Sequence, residues 1–253
     1  MTILIGMLCQ DGVVIGADSS ATFGNGQLKT VEQKVEKISI VENKIIVTGT
    51  GQVGLGQRFN YIVDNYYKQK GFTKHPQEIG RELSQLTIQN FSTTGVAKGQ
   101  LGTLVAFSQA KNFYLCEFAI ADFQPEFKTK DMWYVSMGSG QLIADPFLGL
   151  MRKVFWGDDK LPNLKEGIFF VTWALDHTIE VNPGGINGPK RIATLSLDTA
   201  NNVCAKLLSE EELQEHEENV KAAEAHLREY KCILSGKKQA GDEDVPAIIH
   251  PTQ

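Results

Sequence analysis

Thr2 stands directly after Met1 and directly before the apolar run Ile3 to Cys9. A hydroxyl is a poor nucleophile until a base takes its proton. An α-amine, with a pKa of about 7.7–8, is a far better base at working pH than a lysine near 10.4. With Met1 removed, which a small second residue permits, Thr2 carries both groups on one residue. An ammonium nearby would lower the amine's pKa by like-charge repulsion and stabilise the developing anion, and a carboxylate would hold that ammonium in place. Asp18, which ends the apolar run Val13 to Ala17, is the candidate carboxylate. Lys34, which opens the next strand-like run, is the candidate ammonium. Taken singly, Asp18 reads better as a turn cap and Lys34 as a solvated lysine.

These residues need a hairpin to meet. The apolar runs Thr2 to Cys9 and Val13 to Ala17 flank Gln10-Asp11-Gly12, a turn signal, and so predict antiparallel strands that bring Asp18 through Thr22 back to Thr2. A second hairpin is expected from Lys34 to Val41 and Lys44 to Thr50. The period then changes. Phe59, Ile62, Val63 and Tyr66, then Ile79, Leu83, Leu86 and Ile88, recur at helical spacing and predict two helices over Gln57 to Tyr67 and Pro76 to Phe91. Strands are expected at Leu101 to Phe107, Asn112 to Ile120, Trp133 to Met137 and Lys190 to Leu197, and helices at Gln141 to Val154 and Leu164 to Glu180. Hairpins and paired helices in blocks, without strict βαβ alternation, favour an α+β layered sandwich.

Ser209 and Glu212 have capping-box spacing, and Leu213, Val220 and Leu227 repeat behind them at seven residues. They predict an additional C-terminal acidic helix with one narrow apolar stripe, packed on its own domain or on a neighbouring subunit. The expected organisation is a domain over 2–207, this helix over 208–233 and a flexible tail over 234–253.

Gly49-Thr50-Gly51-Gln52-Val53-Gly54 is a literal GxGxxG after a strand and before a helix. A dinucleotide site needs that motif inside a βαβ unit with an acidic residue ending the second strand. Here a second helix follows the first, and the preceding strand is one arm of a hairpin. The nucleotide reading is therefore set aside, and the tight glycine turn keeps a different use: its exposed N–H groups can hold an oxyanion.

Net charge is −5 and no basic cluster has interleaved aromatics, which argues against nucleic acid as the main partner. No apolar stretch approaches the roughly 20 residues of a membrane span, and no signal-peptide pattern opens the chain, so a cytoplasmic protein is expected. Cys9, Cys116, Cys204 and Cys232 show no CxxC or metal-ligand spacing and read as reduced and mostly structural. No metal and no cofactor is expected.

In order along the chain, Thr2, the stretch DGVVIGADSSAT, Lys34, the turn GTGQVGLGQ and Met137-Gly138-Ser139-Gly140 resemble the β-subunits of proteasomes and related bacterial threonine proteases over roughly residues 2–200. The resemblance implies an N-terminal-nucleophile hydrolase of four-layer αββα sandwich fold. Thr2 would be the nucleophile, with its α-amine as base and Lys34 paired to Asp18. It further implies that the N–H of Gly51 serves the oxyanion and that Ser139 relays the proton of the amine. Ala21, Thr22 and Val53, with Glu32 and Glu36, are the residues it implies around the substrate. One departure stands out: where the family has Asp-x-x-Ser-Gly-Gly, this chain has Glu180-Val-Asn-Pro183-Gly184-Gly185. Glu180 can supply a carboxylate, but Pro183 cannot supply a hydroxyl. The long C-terminal helix, and Met1 alone ahead of Thr2, are most like the bacterial proteasome-homologue branch.

The resemblance implies a self-compartmentalising threonine peptidase acting on peptides or unfolded proteins in a homo-oligomeric double ring, its ATPase partner, if one exists, unspecified. The alternative is a ring-forming scaffold of the same fold with weak or absent catalysis. Period-2 alternation places Glu32, Lys34 and Glu36 on one strand face, so two carboxylates would flank the cleft if Lys34 faces Thr2. A preference for basic residues on the acyl side of the cut bond is then expected.

Overall fold

The structure is a computed structural model that describes residues 1–25, 28–97, 99–157, 160–182 and 184–235, with backbone alone for 22–25, 28–30 and 233. Two five-stranded antiparallel sheets lie face to face. The inner sheet has the order β10-β1-β2-β11-β12, and the outer sheet the order β5-β6-β7-β8-β9. The inner strands are β1 (Leu4–Leu8), β2 (Gly12–Ala17), β10 (Tyr134–Met137), β11 (Arg191–Leu197) and β12 (Val203–Leu207). The outer strands are β5 (Ile38–Val41), β6 (Ile45–Gly51), β7 (Leu101–Gln109), β8 (Asn112–Phe118) and β9 (Pro125–Phe127). Between β2 and β5 in the chain, β3 (Ser20–Asn25) and β4 (Leu28–Lys34) form a separate two-stranded hairpin.

Helices cover both outer faces. α1 (Val53–Lys70) and α2 (Pro76–Ser92) lie on the outer sheet, α3 (Gln141–Phe155) and α4 (Leu164–Val181) on the inner one, and α5 (Glu210–Leu234) packs on α4. This is the expected four-layer sandwich of α+β class with its extra helix. The reason is visible in the strand faces. Ile46, Leu104 and Ala106 join the core between the sheets, while their neighbours Val47 and Val105 join Leu55, Phe59 and Val63 beneath the helices. β1 and β2 are buried along their whole length, as central strands covered on both faces must be.

Four strands escaped the sequence reading: β9 and β12 are short, and β3 and β4 form a hairpin of their own where the reading had the strand of Glu32 and Lys34 run on into Val41. The second hairpin starts at Ile38, not Lys34, because β4 runs through Lys34 and residues 35–37 cross between sheets without strand geometry. Ser209 and Glu212 do close a capping box, with Glu212 N–H donating to Ser209 Oγ at 3.2 Å and Ser209 N–H to the Glu212 carboxylate at 2.9 Å. The helix then continues to Leu234, one residue beyond the expected boundary, and the expected tail past Ser235 lies outside the described residues.

Candidate active site

Register assembles the site. Leu4 faces Met137 on one side and Ala17 on the other. Two residues back from Leu4 is Thr2, and two residues forward from Met137 is Ser139. Asp18 follows Ala17, and its N–H donates to the Ile3 carbonyl at 3.2 Å. Thr2, Asp18 and Ser139 therefore meet at one end of the inner sheet because three strands end there together.

Gly138 makes that convergence possible. Its φ is +95°, and a Cβ there would lie 2.3 Å from the Thr2 carbonyl oxygen. Only glycine holds that backbone without strain. The next two residues use the closeness: Gly140 N–H donates to the Thr2 carbonyl at 3.1 Å, and the Thr2 N–H donates to Ser139 Oγ at 3.1 Å. While Met1 is attached, that nitrogen is a peptide amide and cannot act as a base.

Lys37, not Lys34, is the lysine at Thr2. Its Nζ donates to Thr2 Oγ1 at 3.1 Å and to Asp18 Oδ1 at 2.6 Å. Lys34 is exposed on the β3–β4 hairpin opposite Ser20. The chain reaches the site three residues later than the expected spacing because the hairpin comes first. A signal for Lys37 was present: it immediately precedes Ile38-Ser39-Ile40-Val41, so counting from the apolar strand, rather than from Asp18, selects it.

Asp18 is fully buried and Lys37 nearly so. The Asp18 carboxylate also accepts from Ile3 N–H at 2.9 Å and Ser20 N–H at 3.2 Å, which satisfies a charge that would otherwise be costly to bury. Burial pushes the Lys37 ammonium below the ordinary lysine range, against the opposing pull of Asp18 and Glu32. A lysine so placed gives up its proton more readily than a solvated one, and while charged it stabilises an oxyanion at Thr2 Oγ1.

A cleft of about 840 Å³ opens over Thr2, and Ala21, Glu36, Lys37, Gly51 and Val53 also line it. Gly51 has φ +120°, and a Cβ there would meet the Gln100 carbonyl oxygen at 2.2 Å. The glycine turn thus brings bare backbone to the cleft. β5, β6 and β7 are antiparallel neighbours and α1 leads to α2, so the GxGxxG stretch has no βαβ setting.

Two expected residues are elsewhere. Glu180 is exposed near the end of α4 and makes no described hydrogen bond or ion pair. The helix turns about 100° per residue, so with Thr178 facing inward, its methyl 2.9 Å from where a Gly140 Cβ would sit, Glu180 is carried to the opposite side. Glu32 does not line the cleft; its carboxylate accepts from Ser20 Oγ at 2.7 Å and Asn187 Nδ2 at 2.6 Å. Alternation failed there because the strand stops at Lys34, which leaves Glu36 free of the face Glu32 occupies. Thr22 pairs with Glu32 through its backbone, and its side chain, like Pro183, lies outside the described residues. Among the described residues no group of three His, Cys, Asp or Glu could hold a metal ion, and no helix is long and apolar enough to cross a membrane. Cys9 and Cys116 are buried free thiols whose pKa burial pushes up.

The proteasome subunit family profile matches residues 2–180. No curated protein matches the sequence. Among solved structures, one described as the helical assembly of the Anbu complex from Pseudomonas aeruginosa shares the fold at a TM-score of 0.69 and 13% identity, over 95% of this chain and 98% of that one.

Proposed function

We propose, from the premise that this chain belongs to the proteasome subunit family, that it is an N-terminal threonine peptidase. The observation that carries the reading is the contact of Lys37 Nζ with both Thr2 Oγ1 and Asp18 Oδ1. In this reading removal of Met1 turns the Thr2 nitrogen into an amine. The amine takes the proton of Thr2 Oγ1 as that oxygen attacks the substrate carbonyl, Ser139 Oγ orients the amine, and the Gly51 N–H faces the oxyanion. The amine then returns its proton to the leaving nitrogen. Water, deprotonated by the same amine, releases the acyl group from Thr2.

Three features support a peptide as substrate: the open cleft, its bare backbone at Gly51 and the edge of β3 beside it. Glu36 lines the cleft, and Lys37, the one cationic side chain among its described lining residues, is held by Asp18. A basic side chain on the acyl side of the cut bond suits such a pocket, its aliphatic stem against Val53 and its charge toward Glu36. The family and the helical assembly of the Anbu relative support a homo-oligomer, with the active sites gathered in a chamber.

Intact-mass measurement with and without a threonine-directed epoxyketone tests the mechanism. The expected result is loss of Met1 and a single adduct on Thr2, absent in Thr2→Ala. A Thr2→Ala variant that still cleaves peptides rejects it. The second reading, a ring-forming protein with impaired catalysis, draws on the exposed position of Glu180, which leaves Asp18 as the one described carboxylate bonded in the site. That reading is favoured if Met1 is lost and no adduct forms.

A further inference from the structure

Glu32 has no place in the cleft, yet its carboxylate is engaged on two sides. On the hairpin, Ser20 lies opposite Lys34, so Glu32 is its diagonal neighbour on the same strand face, within reach of a long side chain. Ser20 Oγ donates to Glu32 Oε1 at 2.7 Å. From the connection between α4 and β11, Asn187 Nδ2 donates to the same oxygen at 2.6 Å, and the Asn187 carbonyl accepts from Ser19 N–H at 3.2 Å. A closed ring of hydrogen bonds thus joins Ser19, Ser20, Glu32 and Asn187. Ser20 is also the residue whose N–H holds Asp18 Oδ2, the oxygen opposite the one bound to Lys37. A continuous path runs from Asn187 through Glu32, Ser20 and Asp18 to Lys37 and Thr2.

We propose that Glu32 is a positioning residue for the Lys37–Thr2 contact: it clamps Ser20 against Asn187, which fixes the backbone that presents Asp18, and its charge is a second anion acting on Lys37. The inference rests on the peptidase reading and goes beyond it, since it gives the hairpin between β2 and β5 a role in the chemistry. Among the described residues Lys37 Nζ bonds Asp18 before β3, the Thr2 hydroxyl and the Met1 carbonyl, the Thr2 amine stands beside it after processing, and the Glu32 charge on β4 acts on it from farther away. Asp18 and Glu32 favour the ammonium, and the amine, when protonated, disfavours it. Removing the Glu32 charge therefore moves the loss of the Lys37 proton to lower pH. Glu32 is exposed, so solvent screens its charge and the displacement is modest.

The test follows modification of Thr2 by a peptide vinyl sulfone with leucine at the acyl-side position, which removes any influence of Glu36; Thr2 Oγ1 adds to the vinyl carbon, its proton ends on the neighbouring carbon, and a stable ether forms. Rates are measured by intact mass from about pH 6 to about pH 10, which spans the ordinary range of an α-amine and reaches toward that of a lysine held below its usual value. Glu32→Gln keeps an acceptor for Ser20 and Asn187 and loses the charge. Its alkaline limb should move to lower pH by about half a unit, the effect of one partly screened charge. Glu32→Ala loses charge and clamp, and its plateau rate should also fall about tenfold, as expected for a loosened catalytic geometry. Glu32→Asp should restore part of the limb. The proposal is overturned if the Gln and Ala profiles superimpose on the wild type, or if cleavage of a leucine substrate changes in KM alone, which would make Glu32 a substrate contact. If the Ala variant does not fold, the near-isosteric Gln variant decides by its limb. An unmodified wild-type Thr2 brings down the peptidase reading, and this inference with it, whereas a reactive wild type with unmoved variants removes the inference alone.

Discussion

Lys37 and Lys190 are almost equally buried against carboxylates, one at the site and one beneath α5. Lys37 meets Asp18 where the inner sheet ends. Lys190 meets Asp176 of α4 and, at 2.7 Å, Glu217 of α5. Desolvation is the largest influence in both places: it lowers Lys37 and raises Asp176 despite their partners. The difference lies in what else each lysine touches. Lys37 reaches a hydroxyl at a cleft, whereas Lys190 ties two helices and the start of β11, and its carboxylates are about a third exposed. A perturbed ion pair is thus as compatible with a clamp as with a catalyst, and the third contact distinguishes them.

The largest expected effect in that comparison is at Lys37. Lys37→Met should remove adduct formation at Thr2 almost entirely. It should also destabilise the fold by about 3–5 kcal/mol, because Asp18 is left charged and buried without its partner. Chemical denaturation and the adduct assay read the two effects separately, and a variant of wild-type reactivity would strip Lys37 of its role.

Lys190→Met should cost much less, about 1 kcal/mol after allowing for solvent screening of Asp176 and Glu217. That corresponds to a Tm lower by roughly 2–4 °C for a chain of this size. Adduct formation at Thr2 should be unchanged. A fall in reactivity as large as that of the Lys37 variant would erase the distinction between clamp and catalyst.

The α5 side should also respond to acid. Burial holds the His216 imidazole below its usual value, with Lys165 adding to the effect and Glu212 and Glu215 opposing it. An undocked or unfolded His216 then takes up its proton first. Its contribution is complete above about pH 6.5 and is lost as pH falls below that value. Thermal melts should show a smaller drop between neutral and mildly acidic buffer in His216→Leu than in the wild type. Equal drops would assign the acid response elsewhere.

The smallest effect belongs to Lys34. Exposed and without a described ion pair, it should tolerate Lys34→Ala within about 0.5 kcal/mol and with no change in the rate of adduct formation at Thr2. A catalytic defect there would restore the spacing expected from sequence and undo the assignment of Lys37.

Much of the framework was legible because it depends on local chemistry. The turn at Gln10-Asp11-Gly12 predicts β1–β2, and that pair alone brings Asp18 to Ile3. The helical periods of α1 through α4 are strong because each buries one face against a sheet. The capping box at Ser209 is a contact between near neighbours, so spacing suffices to see it. Glu36 and Glu32 mark the limit. Alternation put them on one face, but the strand ends at Lys34, and no local rule in the run Val31 to Ile38 announces that end.

The sequence by itself determined which residue types could form an N-terminal nucleophile, the hairpins and helices that carry them, and the glycines at 51 and 138 that let backbone come close. Only the tertiary structure decided which lysine completes the site, which carboxylates stay out of it, and which helix face Glu180 occupies. The physical reason is one of range. Turns, caps and periodicities are set by residues a few positions apart, whereas the meeting of Thr2, Asp18, Lys37 and Ser139 depends on the lengths of intervening loops and on where three strands happen to end.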